Sequence, residues 1–214
     1  MGDSSHYKNP RKNWTKYERY LMNGEWHVHT NYTDGKNSVD EYCKKAVELE
    51  VPLIAFTEHV RRVLTYNYSE FVEEVATARR EYQELVILAG CEAKVLEDGS
   101  LDVSEEVLRR SEIVLMAFHS FPNSKEKYVR ALRTALSNPK VDVWAHPGLF
   151  LKNKEVGLRE WEVEKIFSLA NKEGVLIELN KKYNLPPQSW VKIGEEKGVK
   201  FVKGSDAHSV KDLR

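Results

Sequence analysis

The segment 25–30 reads EWHVHT, and its two histidines, His27 and His29, are separated by one residue. On a strand, that spacing points both imidazoles to the same side. Two imidazoles side by side without a shared cation are poorly solvated and resist being protonated together. Near the other end of the chain, Asp206 and His208 in GSDAH repeat the i, i+2 spacing. A divalent metal resolves both arrangements, because neutral imidazole and carboxylate are its usual ligands. Between the two pairs lie Asp34, His59, Glu92, His119 and His146; of the seven histidines only His6 falls outside the set. Each has an ordinary reading alone, a hydrogen-bonded packing histidine or a helix-capping acid. Their joint placement at the ends of successive apolar runs is what argues for metal.

Nine candidate ligands are too many for one ion. At roughly three to five protein ligands per ion, they describe a cluster of two or three. Sharing needs a bridging carboxylate, and Glu92 is the glutamate that suits. Histidine and carboxylate without thiolate is the donor set of hydrolytic phosphoester chemistry, in which a metal-activated hydroxide attacks phosphorus. A phosphoester also needs cations at the mouth. Arg61 and Arg62 follow His59, Lys94 lies two past Glu92, and Lys181 and Lys182 follow the sixth apolar run. Any of them could clamp phosphate or be a solvated surface charge; Arg61, Lys94 and Lys181 are the substrate-binding candidates. Tyr66, Tyr68 and Tyr183 could line a pocket or simply pack.

The elements that must position these residues are legible as an alternation. Apolar, β-rich runs cover 25–30, 51–59, 84–95, 111–121, 140–148, 174–180 and 198–208. Each is close to continuously apolar, as expected of strands covered on both faces. Between them lie amphipathic patterns over 38–50, 69–85, 126–138, 159–174 and 188–198. Ser38 with Glu41 has capping-box spacing, Ser69 is a weaker cap with Val72 in the acid's place, and Gly174 and Gly198 mark C-termini. The alternation predicts a parallel α/β sheet. Six of the seven strands end in a ligand candidate, and the sixth offers only Asn180. Such convergence on one mouth favours a barrel over an open sheet, and the count favours seven strands.

Bulk composition is that of a globular protein: 214 residues, 41% hydrophobic, 31% charged, with 33 basic and 33 acidic side chains that cancel. No global charge favours nucleic acid or a membrane, although a local basic patch stays open. Cys43 and Cys91 form no CxxC motif and are expected as free thiols of a cytosolic protein. The N-terminus is polar, and no run approaches a membrane span. The expected organisation is a polar extension over 1–22 and one domain over 23–214, soluble and cytoplasmic, of unassigned oligomeric state.

The ordered motifs HVHTNYTDG (27–35), TEH (57–59), GCE (90–92), FHS (118–120), AHPG (145–148) and GSDAH (204–208) resemble the PHP (polymerase and histidinol phosphatase) superfamily from Gly24 to His208. The resemblance implies a distorted, TIM-like (β/α)7 barrel with its metal site at the C-terminal strand ends. It also implies three divalent ions of zinc, manganese or iron. By position, His27, His29, Glu92 and Asp206 would hold one ion, and Glu92 would bridge to a second on His119 and His146. Asp34, His59 and His208 would hold the third. Asp206 and His208 are the catalytic candidates, His208 as ligand or as a hydrogen-bonding group beside the phosphate. The family usually has Asp-His where Glu58-His59 stands here, so Glu58 is expected to orient His59. The tail after His208 is too short for a closing helix, which implies either a barrel open at that seam and covered by 1–22 or a truncated chain. The leading expectation is a phosphomonoesterase for a small phosphorylated metabolite, with histidinol phosphate one candidate. A 3′-end nuclease or phosphodiesterase and a non-catalytic metal-binding module are the alternatives.

Overall fold

The computed structural model describes residues 12–213; residues 1–11 of the expected extension, and Arg214, lie outside the described residues. Seven parallel strands pair in chain order: β1 (Glu25–Val28), β2 (Leu53–Val60), β3 (Val86–Lys94), β4 (Ile113–Ala117), β5 (Val143–Trp144), β6 (Leu176–Asn180) and β7 (Phe201–Gly204). The helices between them are α1 (Val39–Glu48), α2 (Tyr68–Glu81), α3 (Glu105–Arg110), α4 (Lys125–Leu136), α5 (Leu149–Asn153), α6 (Glu160–Glu173) and α7 (Gln188–Glu196). This is the expected seven-stranded α/β barrel.

The continuous apolar runs are explained by burial on both faces. Along β2, Leu53 and Ala55 face the barrel interior with Leu88, Leu115 and Leu176. Their neighbours Ile54 and Phe56 face the helical layer with Ile87, Met116 and Phe167. The seam is joined rather than open. Val28 and Ala207 form a parallel bridge, with His29 N donating to Ala207 O at 2.9 Å and Ala207 N to His27 O at 3.1 Å. Both bridging side chains are fully buried, so the flanking pairs His27/His29 and Asp206/His208 are laid side by side. At β1 the register slips, three residue steps from Glu25 to Val28 opposing two from Ile54 to Phe56. Such a bulge lets Trp26 join the interior cluster although it directly precedes His27.

Local signals held with some corrections. Ser38 and Glu41 form a reciprocal capping box on α1. The cap of α2 is Asn67, not Ser69: its side chain accepts from Ser69 N at 3.0 Å, and the helix starts at Tyr68. Gly174, at φ 66°, ends α6. The expected strand over 140–148 shrinks to two residues, because the chain turns at Gly148 into the short α5.

The floor of the barrel is closed by the N-terminal segment. A 3₁₀ helix over Asn13–Tyr20 inserts Trp14, 5% exposed, into the interior cluster beside Leu21. Trp14 Nε1 donates to Gly174 O at 2.8 Å, Lys12 Nζ to Val141 O at 2.6 Å, and Lys203 N to Leu21 O at 2.8 Å. From Lys12 onward the polar segment is therefore anchored to the core through Trp14 and Leu21. No helix among the described residues is long and apolar enough to cross a membrane. Trp14→Ala is expected to lower the unfolding free energy by about 3–5 kcal/mol, read as a shift in the urea midpoint. An unchanged midpoint would show that the segment only decorates the floor.

Candidate metal centre

All nine candidate ligands converge at the C-terminal mouth of the barrel. Parallel pairing sets His59 directly beside Glu92 on β2 and β3. Glu92 is 1% exposed and touches five histidines. Its Oε1 lies 2.8 Å from His146 Nε2 and 3.3 Å from His119 Nε2. Its Oε2 lies 2.9 Å from His59 Nδ1 and 3.6 Å from both His27 Nε2 and His29 Nε2. Asp206 Oδ1 reaches His29 Nε2 at 3.7 Å and His208 Nδ1 at 3.4 Å. Asp34 Oδ2 closes the set at 3.5 Å from His59 Nε2 and 3.3 Å from His208 Nε2.

The turn that brings Asp34 round is built for close approach. Gly35 N donates to Thr30 O at 3.0 Å, and a Cβ on Gly35 would stand 2.1 Å from His29 O. Glu58 anchors the same turn, accepting from Thr30 N at 2.8 Å and from Thr33 Oγ1 at 2.5 Å. It therefore orients the Asp34 loop and not His59, correcting the sequence expectation. Burial pushes its carboxyl up to about 7. His146 and Asp206 occupy the left-handed region, at φ 30° and 51°. Such strain persists only where the surroundings over-determine the conformation.

The donor set fits metal. His29 Nδ1, His59 Nδ1 and Glu92 Oε2 are buried without a hydrogen bond. The 2.9 Å approach of the last two has the distance of one but not the direction. His29 Nε2 and His27 Nε2 face each other at 3.0 Å. Burial and then the neighbouring imidazoles hold His29 well below the usual range. For His27 burial acts downward too, but Glu178, Glu92 and Asp206 outweigh it and raise the ring well above the usual range. Burial acts upward on Glu92, and the histidines around it, His119 and His27 first, hold it well below the carboxylate range. Electron-rich nitrogens and carboxylate oxygens crowded in a dry pocket are what a divalent cation satisfies. Three groups bring their ligand atoms within 4.8 Å of one another: His27, His29 and Glu92; His29, His59 and His208; and His59, Glu92 and His119.

The candidate cations are placed unequally. Arg61 donates to Val60 O and lies 3.7 Å from Asp102. Lys94 lines a cavity of about 420 Å³ with Ser120 and Phe121, whereas Lys181 lines one of about 410 Å³ together with Lys182 and Asp206. Lys182 touches the cluster, with Nζ 3.3 Å from Asp206 Oδ1 and 3.1 Å from His208 Nδ1. Tyr66 and Tyr68 are tied to the carbonyls of His59 and Gly90, whereas Tyr183 packs edge-on against His146 at 5.9 Å.

Sequence reasoning missed Glu178. The sequence of strand six offers only Asn180 at its end, yet Glu178, 1% exposed, accepts from His27 Nδ1 at 2.7 Å. A lone acid inside VLIEL, on the inner face of a buried strand, was the available signal. Metal binding to the folded chain alone should raise its melting temperature, by about 2.7 kcal/mol of added stability at a free-metal level 100-fold above Kd. Glu92→Gln should abolish that rise in a calorimetric titration, and an undiminished rise would place the metal elsewhere.

Comparison with known proteins agrees with this geometry. A family model described as PHP domain matches residues 25–182. A protein of Acetivibrio thermocellus described as a "probable phosphatase" is 30% identical over 85% of this chain and 78% of its own length. The DNA polymerase/3′-5′ exonuclease PolX of Bacillus subtilis is 29% identical over 90% of this chain, which spans only 35% of that protein. Among solved structures, a candidate histidinol phosphatase from Listeria monocytogenes superposes with a TM-score of 0.72 at 19% identity, covering 88% of this chain and 96% of its own. The histidinol phosphate phosphatase of Lactococcus lactis, solved with zinc, L-histidinol and phosphate, gives 0.66 at 14% identity over 88% of each chain. At those identities the structural likeness is one of fold. The family match, which spans most of the barrel and seven of the nine converging side chains, establishes that the chain belongs to the PHP domain family.

Proposed function

We propose that this chain is a metal-dependent phosphoesterase that hydrolyses a phosphomonoester of a small metabolite. The observation that carries the reading is the convergence of Glu92 and its five histidines beside one ammonium group, Lys182, at an open mouth. The phosphatase descriptions of relatives across most of this chain's length support it. His27, His29, Glu92 and Asp206 would hold one divalent ion, Glu92 with His119 and His146 a second, and Asp34, His59 and His208 a third. Zinc, manganese and iron all suit this donor set. Ions held there supply a Lewis acid that acidifies water and neutralises charge on phosphoryl oxygens.

The chain's own residues supply the rest. Glu92, shared between two groups of ligands, keeps their spacing fixed. Lys182, held by Asp206 and His208, binds a non-bridging phosphate oxygen as a charge-assisted donor. Asp206 and His208 thus act both as ligands and as the pair that aims this cation. No side chain is needed as nucleophile: the thiols of Cys43 and Cys91 are buried, and burial pushes both up to about 12. Tyr183 offers a ring edge for an organic leaving group, and histidinol phosphate is one candidate substrate.

A second reading, a 3′-5′ exonuclease-type phosphodiesterase, draws on the likeness to PolX. Assays on aryl phosphomonoester, bis-aryl phosphodiester and single-stranded DNA separate the two. Monoester turnover at least 10-fold above diester is expected, with His27→Ala and Asp206→Ala abolishing it. Lys182→Ala should cost about 1.5–3 kcal/mol of transition-state binding, roughly 10- to 100-fold in kcat/KM. Preferential cleavage of DNA would select the exonuclease reading. No turnover of any ester by metal-loaded protein would reduce the site to a binding module.

A further inference from the structure

Glu178 is as deeply buried as Glu92, and its surroundings are one-sided. Its carboxylate accepts from His27 Nδ1 at 2.7 Å, from Asn180 Nδ2 at 3.1 Å and from the backbone N–H of His146. All three partners act as donors toward it, so it serves as acceptor only. The His27 ring stands between Glu178 and the ligand cluster, its Nε2 facing His29 and Glu92. His146, the second residue Glu178 holds, has a left-handed backbone and touches the other oxygen of Glu92. One carboxylate thus grips two of the histidines that surround Glu92.

Gly204 makes room for it. A Cβ at that position would stand 1.9 Å from Glu178 Oε1, 2.7 Å from Cδ and 2.9 Å from Cγ. Moving only the tip of the side chain cannot relieve contacts with three successive atoms. The backbone there is fixed by the pairing of Asn180 with Gly204 across β6 and β7. Its φ is not in the left-handed region, so glycine is required for space and not for conformation.

We propose that Glu178, seated against the bare Cα of Gly204, is a positioning residue: it fixes His27 as the Nδ1–H tautomer and turns its Nε2 lone pair toward the ligand cluster. The proposal rests on the metal-centre reading above. Carboxylates that accept from the distal nitrogen of a metal-binding histidine fix its tautomer and raise its basicity. A glutamine cannot replace this one. With one acceptor oxygen and one NH2, it must oppose a donor to a donor, or donate to His27 Nδ1 and drive the ring proton onto Nε2. That proton would occupy the atom that must bind metal.

The test uses zinc alone as the probe, titrated into chelator-treated full-length protein. It is combined with ¹⁵N spectra of the histidine rings, which report the tautomer directly. Glu178→Gln is expected to weaken zinc binding about 10- to 100-fold and to shift the His27 ring signals away from the Nδ1–H pattern. Gly204→Ala should do the same, and the double variant should lose no more than about twofold beyond the worse single change, because both act through one contact. Glu178→Gln keeps the side-chain shape, so it decides the matter even if Gly204→Ala does not fold. Unchanged zinc affinity and ring signals in Glu178→Gln, with wild type binding normally, would overturn the proposal and leave the metal centre standing. Additive losses in the double variant would overturn the link to Gly204. Failure of the wild-type chain to bind zinc would remove the metal-centre reading and this inference with it.

Discussion

One carboxylate against five imidazoles is the constraint on which the rest of the structure depends. Burying a charge without partners costs several kcal/mol, so Glu92 can occupy the barrel mouth only if the surrounding strands deliver compensating groups to it. They do so from β1, β2, the end of β4 and the end of β5, each contributing a histidine whose ring reaches one of the two oxygens. The apolar interior beneath, from Ala55 and Leu115 down to Trp14, gives these polar atoms no water from below. Every demand they make must be met sideways or at the mouth. That is why a cation belongs there, and why the site tolerates left-handed backbone at His146 and Asp206.

The barrel is small enough that its geometry and its chemistry share residues. The bridge between Val28 and Ala207 closes the sheet and, in the same stroke, brings two ligand pairs from opposite ends of the chain into register. β5 contributes only two ladder residues before the chain bends to present His146. Regular strand pairing is given up just where a ligand has to be aimed, with the backbone held instead by a side chain, Glu178. Function is served here by departures from ideal sheet, as is common at barrel rims.

The nine candidate ligands are legible in the sequence because metal binding needs rare residue types and a barrel puts them at equivalent points of a repeating unit. His27 with His29 and Asp206 with His208 announced themselves by spacing alone. What was less legible depends on relations that only folding creates. Glu178 sits in an apolar run with nothing beside it in sequence; its partner His27 lies on the first strand, and Gly204, which makes room for it, on the last. Lys181 and Lys182 are equivalent by composition, and only the twist of the chain after β6 sends the second toward Asp206. The sequence points Glu58 to His59, the neighbour it precedes, but alternation along a strand turns adjacent side chains to opposite faces, so it serves the preceding loop instead. Trp14 lay in a segment that reads as polar, since one large apolar side chain can plug a floor without changing the average.

The seam between β1 and β7 also orders events in time. The first candidate ligands to be synthesised, His27 and His29, are joined by Asp206 and His208, among the last described residues to leave the ribosome. A contact between the two ends of the sheet is among the most non-local a chain can make, and such contacts form late. Nascent His27 and His29 emerge long before the barrel exists, yet only a finished barrel sets Glu92 and Asp206 beside them. The full set of candidate ligands is therefore assembled only with completed folding, and a chain that stalls before its last strand would present His27 and His29 without Asp206 and His208.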